Sequence, residues 1–145
     1  MKKLMICPKE SGNTYKICSY IAARSGTELM VIGQEKKVDP AQYGIVVFAS
    51  GVYGGRVHKK MLEWIRNSKI GLFGQDAKIY VLLTWFGRGE SDRAALEGIR
   101  SLLDEKGVKT EDKYVKYFGG GMGFIKRTHP DQKDLENALR WVEGL

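Results

Sequence analysis

The segment Gly44-Ile45-Val46-Val47-Phe48-Ala49-Ser50-Gly51-Val52-Tyr53-Gly54-Gly55-Arg56 decides how the rest of the chain is read. From Ile45 to Ala49 every residue is apolar, so neither face of a strand built there can meet water. A strand apolar on both faces belongs in the middle of a parallel sheet that helices cover on both sides. The three glycines around one tyrosine that follow predict a loop at the strand's carboxyl end, leading to a helix.

Outward from this strand, the chain alternates strand and helix. Residues 3–7 are a short strand ended by Pro8. Residues 13–24 are a helix with Ile17, Cys18, Ile21 and Ala22 on one face, closed by Gly26. Residues 28–32 form a second strand ended by Gly33, and residues 34–43 a loop or at most a short helical turn. After the opening strand at 44–49, a helix is predicted over 57–68 on the face of Met61, Leu62 and Ile65, and a buried strand over 78–84. Ser91 or Asp92 can cap a helix that runs to Lys106 and stops at Gly107. A strand at 113–118, a glycine-rich connection and a helix over 131–143 complete the pattern; its stripe is Leu135, Ala138, Leu139 and Val142. This is an α/β pattern: one domain over 1–145, a three-layer doubly wound five-stranded parallel sheet of order 2-1-3-4-5. Ligands of such sheets bind beyond the carboxyl ends of the strands, where the strand order reverses.

Composition excludes several classes. The 145 residues are 43% hydrophobic and 28% charged, an ordinary globular balance that excludes disorder and a disulfide scaffold. No apolar run approaches the ~20 residues of a spanning helix. The apolar start stops at Pro8, too short for a secretory h-region, so a cytoplasmic location and no membrane insertion are expected. Cys7 and Cys18 show no metal-ligand spacing and are expected as buried thiols. The net charge of +7 bears on partners, not on fold. Its cations are spread along the chain, with no arginine-rich segment or aromatic RNA-binding signature, so no nucleic-acid partner is expected.

Three predicted strand-to-helix loops hold the chemistry. Pro8-Lys9-Glu10-Ser11-Gly12-Asn13-Thr14 leads into a helix N-terminus, where unpaired N–H groups and the helix dipole favour an anion. It is neither a Walker loop nor the dinucleotide fingerprint; the plain alternative is a helix start that binds nothing. Ser50-Gly51-Val52-Tyr53-Gly54-Gly55-Arg56 and Thr84-Trp85-Phe86-Gly87-Arg88-Gly89 mix glycine with large aromatics. Any one aromatic could fold back onto a helix. Three such loops at one predicted edge favour a flat ring held between Tyr53 and the Trp85/Phe86 pair.

These loops resemble those of the flavodoxin-like FMN-binding family. Ser11-Gly12-Asn13-Thr14 is similar to its phosphate loop, the segment from Val47 to Arg56 to its second flavin loop, and Trp85-Phe86-Gly87 to its third; Thr128-His129-Pro130-Asp131 is similar to the entry of its last helix. The resemblance implies FMN as cofactor. Its phosphate would lie on the amides from Glu10 to Thr14, helped by the Ser11 and Thr14 hydroxyls. Ser50, Gly51, Val52, Tyr53 and Gly54 would form the second contact, with Tyr53 stacked on the isoalloxazine and the Gly54 peptide able to turn toward it. Thr84, Trp85, Phe86, Gly87 and Arg88 would supply the third, covering the other face or edge. Lys9 and Glu10 depart from the family's small hydroxyl residues. Glu10 beside a phosphate repels it unless its side chain points to water, and Lys9 can compensate.

The resemblance implies a protein that passes electrons between redox partner proteins or to a small-molecule acceptor, with no catalytic side chain. The alternative is an FMN-dependent oxidoreductase acting on a quinone or a porphyrinogen, of which Val52-Tyr53-Gly54-Gly55-Arg56-Val57-His58 is reminiscent. His58 is then a candidate donor, though a histidine at a helix start is more often structural. A receiver domain of the same sheet order needs an aspartate ending the third strand; Ala49-Ser50-Gly51 excludes it.

Overall fold

The structure, a computed structural model, describes residues 2–34, 38–87, 89–119 and 129–145. In chain order the elements are β1 (Lys3–Cys7), α1 (Gly12–Arg24), β2 (Glu28–Val31), a 3-10 turn (Pro40–Gln42), β3 (Ile45–Tyr53), β4 (Arg56–Val57), α2 (Lys59–Asn67), β5 (Lys78–Trp85), α3 (Ser91–Glu105), β6 (Thr110–Phe118) and α4 (Gln132–Glu143). The long strands lie in the order β2-β1-β3-β5-β6 and every pairing along that path is parallel. The expected order of five strands is therefore present, and the reversal falls between β1 and β3.

Side-chain alternation along the strands makes two separate cores. Leu4, Ile6, Val46, Phe48, Val81 and Leu83 point to the face covered by α2 and α3, where Met61, Ile65, Ala95, Ile99 and Leu103 meet them. Met5, Cys7, Val47, Ala49 and Leu82 point to the face covered by α1 and α4, against Ile17, Cys18, Ile21, Leu135, Ala138 and Val142. Each fully buried aliphatic side chain contributes about 1.5–3 kcal/mol. Phe48 anchors the first core, with the Trp64 and Phe73 rings 6.1 and 5.7 Å away. Both cysteines are buried free thiols, as their apolar setting predicts.

The structure departs from the expected elements at two places that shape the site. β3 does not end at Ala49; it runs on to Tyr53 and turns back as β4, with Tyr53 paired to Arg56 and Val52 to Val57. Gly54 and Gly55 form the two-residue turn, at φ of 56° and 79°. A tight hairpin turn between strands needs positive φ at both positions, which glycine alone adopts without strain. The glycines thus belong to a hairpin rather than an open loop, and α2 begins at Lys59 instead of residue 57. The second departure concerns α3. Neither Ser91 nor Asp92 caps it; Glu90 holds the cap position without a side-chain bond. Asp92 turns inward instead and accepts from Lys116 Nζ at 2.7 Å and Tyr114 Oη at 3.1 Å. The long-range ion pair and hydroxyl bond win over a local cap.

Candidate functional site

At the carboxyl edge of the sheet, where β1 and β3 diverge, lies a cleft of about 380 Å³. Lys9, Gly12 and Asn13 line it from the first loop, Gly51, Val52 and Tyr53 from the second, and Thr84, Trp85 and Phe86 from the third. Three segments distant in sequence meet there because parallel strands with right-handed crossovers place their carboxyl ends along one edge. Gly119, just past β6, closes the remaining side; its N–H donates to the Trp85 carbonyl at 3.0 Å.

The first loop gives the cleft a positive end. Gly12 opens α1, the Ser11 side chain makes no capping bond, and the first turn carries no acid. Lys9 folds over this end: a Cβ added to Gly12 would lie 3.7 Å from Lys9 Cε and 3.9 Å from Lys9 Nζ. Glu10 turns the other way, accepting from Gln34 Nε2 at 2.8 Å outside the cleft lining. The Thr14 hydroxyl is buried and lies 2.9 Å from the Thr84 hydroxyl, so it ties the first loop to the third beneath the cleft.

The second and third loops give the cleft its apolar walls. Tyr53 is 49% exposed and Phe86 37%, which makes them two of the three large hydrophobic side chains left exposed among the described residues. The Tyr53 ring lies so close to Gly51 that a Cβ there would sit 3.0 Å from it, and any side chain at 51 would push the ring away. On its other flank Tyr53 meets the His58 ring edge-on at 5.4 Å. Ser50 is buried and does not line the cleft. Its hydroxyl donates to the Gly51 carbonyl and accepts from His58 N–H, both at 2.9 Å, bracing the hairpin against α2. Across the cleft, Lys116 Nζ stands 4.4 Å over the Trp85 ring, a cation–π contact held by the Asp92 carboxylate. Burial alone would raise the Asp92 pKa, but the Lys116 and Tyr114 bonds outweigh it and hold the carboxyl below its ordinary range.

Of the residues singled out in the sequence, Lys9, Gly12, Asn13, Gly51, Val52, Tyr53, Thr84, Trp85 and Phe86 therefore face one cavity. Glu10, Ser11, Thr14, Ser50, Gly54 and Gly87 do not line it. Arg88 and the glycines at 120, 121 and 123 lie outside the described residues, as does Thr128. Lys116 carries no such signal in the sequence; it is one surface cation among many until the fold sets it over Trp85. Gly119 opens a glycine run that reads in the sequence either as a lip near the site or, more simply, as a connection, and Gly119 itself lines the cleft.

Comparison with known proteins agrees with this fold. A family model described as a flavodoxin domain matches residues 7–128. An uncharacterised protein of Methanocaldococcus jannaschii is 24% identical over 139 residues, covering 92% of this chain and 89% of that protein. Among solved structures, a flavodoxin from the domain Archaea superposes with a TM-score of 0.69 at 16% identity over 97% of this chain and 92% of its own. Oxidised flavodoxin 1 of Bacillus cereus does so at 0.67 and 18% over 100% and 99%. A flavoprotein of Lactobacillus acidophilus, solved in complex with FMN, does so at 0.57 and 15% over 79% and 92%.

Proposed function

We propose, from the premise that the chain belongs to the flavodoxin domain family, that it binds FMN in the β1/β3 cleft and carries electrons to and from redox partners. One observation carries this reading. Three loops from separate parts of the chain converge on a single cleft with a cationic helix start at one end and exposed aromatic walls at the other.

The residues fit the group. A phosphate dianion needs N–H donors and a positive field. The start of α1 offers both, because no acid stands in its first turn, Glu10 is drawn off by Gln34 and the Lys9 ammonium lies over Gly12. A planar ring needs apolar surface to cover. Tyr53 and Phe86 present it at the cleft mouth, and Trp85 backs it with one ring face already occupied by Lys116. Lys9, Gly12 and Asn13 would hold the phosphate end, with Tyr53, Trp85 and Phe86 around the ring. Bound FMN supplies reversible electron uptake; the chain supplies affinity, orientation and exclusion of water. The buried Thr14–Thr84 contact keeps the first and third loops in register beneath the site.

The test is titration of the flavin-free protein with FMN, followed by flavin fluorescence. One-to-one quenching with a dissociation constant below about 1 μM is expected. Riboflavin, which lacks the phosphate, should bind at least about tenfold more weakly, since it forfeits the charge-assisted bonds at α1. Absence of binding at micromolar FMN would overturn the reading. Steady turnover of a quinone or a porphyrinogen by the FMN-loaded protein would move it to the oxidoreductase alternative.

A further inference from the structure

We propose that the Tyr53 side of the cleft is a docking surface for a small acidic electron-carrier protein, held by the cations of the β3–β4 hairpin and α2. The purpose of the surface rests on the FMN reading; its existence rests on charge and shape.

Between residues 51 and 75 the chain carries five cations, Arg56, Lys59, Lys60, Arg66 and Lys69, against the single acid Glu63. All six are exposed. By contrast, residues 104–113 hold three lysines and four carboxylates. The cationic stretch also borders the cleft. Arg56, Lys59, Glu63 and Arg66 line a groove of about 400 Å³ whose wall includes Tyr53, and Tyr53 also lines the cleft. A carrier seated on this groove would lie one side chain away from the cofactor edge.

Folding does not ask for the charges of Lys59 and Lys60, although Arg66 in the last turn of α2 suits the dipole there. Lys59 and Lys60 occupy the first turn of α2, which has no acid. The helix dipole is positive there and disfavours cations. The neighbouring His58 feels the result: partial burial first, then Lys9, Lys60 and Lys59, hold its imidazolium less favourable than usual, against a smaller pull from Glu63. A solvated surface would place acids at such a turn. A surface that meets an anionic partner places cations.

The arrangement suits a protein better than a small anion. From Lys59 to Arg66 the charges extend over about 10 Å of helix axis, and Arg56 and Lys69 lengthen the row. A single anion would meet one or two of these groups, whereas a carboxylate-bearing surface meets them all. The exposed Tyr53 at the row's edge adds an aromatic contact where the groove meets the cleft. Charge of this kind steers encounter and sets orientation.

The test uses the full chain with two acidic carriers as probes, a [2Fe–2S] ferredoxin and a rubredoxin, each dye-labelled and followed by anisotropy. At low salt at least one should bind, and binding should weaken as salt rises. Lys59→Glu/Lys60→Glu should weaken it by roughly tenfold or more. Lys109→Glu/Lys113→Glu makes the same charge change around the amino-terminal half of β6, away from the cleft edge, and should alter it by less than about threefold. Both pairs are exposed, and thermal melts of the variants check that the fold is kept. Equal weakening by the two pairs would reduce the effect to net charge and overturn the proposal. So would binding of neither carrier, or displacement of both by sub-millimolar inorganic phosphate, which would assign the patch to a small anion. FMN affinity is measured on the same samples. Carrier binding that depends on Lys59 and Lys60 in a chain that takes no FMN would sink the flavin reading and leave the docking surface standing; normal FMN binding with no carrier bound would do the reverse.

Discussion

Helices α1 and α4 pack on the same face of the sheet, yet their N-termini are built in opposite ways. α4 closes on itself. Asp131 accepts from the Asp134 N–H at 2.9 Å, and Asp134 accepts from the Asp131 N–H at 2.9 Å and lies 2.6 Å from His129 Nδ1. Two carboxylates thus satisfy the donors and the dipole locally. α1 has no such box. Its Ser11 side chain makes no capping bond, its first turn holds no acid, and a lysine covers the first residue. One end is finished by the chain's own charges; the other is not, and under the proposed function an anion from outside completes it. The comparison separates what stability requires from what binding requires.

Ser11→Asp would give α1 the acid that α4 already has, and it is the sharpest way to break the contrast. The helix should gain slightly, about 0.5 kcal/mol from the dipole, and thermal melting of the flavin-free protein should rise. FMN affinity should fall about 100-fold, because a carboxylate would stand within a few ångströms of the phosphate position. Opposite signs in the two measurements are the signature. An aspartate that raised melting and left FMN affinity intact would show that the phosphate lies elsewhere.

Asp134→Ala makes the converse change. It should cost about 1 kcal/mol in urea unfolding, by removing the carboxylate that accepts at the start of α4. The loss should be the same with and without saturating FMN, since α4's start is complete without a ligand. A loss that disappears in the presence of FMN would mean that this end, too, takes part in the site.

What was legible in the sequence follows the range of the interactions involved. The parallel sheet rests on central strands apolar on both faces, a property that Ile45 to Ala49 carries within itself, and the strand order on the alternation of five strands with helices. β4 was not legible: two residues make no period, and Gly54-Gly55 suits a loop as well as a hairpin turn. Asp92 reads locally as a cap, but its partners Lys116 and Tyr114 lie on β6, more than 20 residues away, and no local pattern announces them. The cleft's composition was visible in its glycines and aromatics. The way Lys9 and Glu10 part was not, because Gln34, which draws Glu10 aside, enters from beyond β2.

The smallest expected effect extends the comparison to α2, whose start is capped by a histidine. Lys60 N–H donates to His58 Nδ1 at 3.1 Å, so the cap requires that nitrogen to be unprotonated. Burial, followed by Lys9, Lys60 and Lys59, holds the His58 pKa below its usual 6.5. The unfolded chain therefore binds this proton more readily than the folded one. Stability from His58 should be complete above about pH 6.5, decline as pH falls toward the folded pKa, and level off below it. An NMR titration of the ring protons reads this directly. In Lys59→Glu/Lys60→Glu the resonance should titrate at higher pH than in the native chain, because two repelling charges have become attracting ones, and a bound acidic carrier should move it the same way. A native His58 that titrated at or above 6.5 would mean that the lysines of α2 set no positive field at the cleft, and the contrast with α4 would then hold for α1 alone.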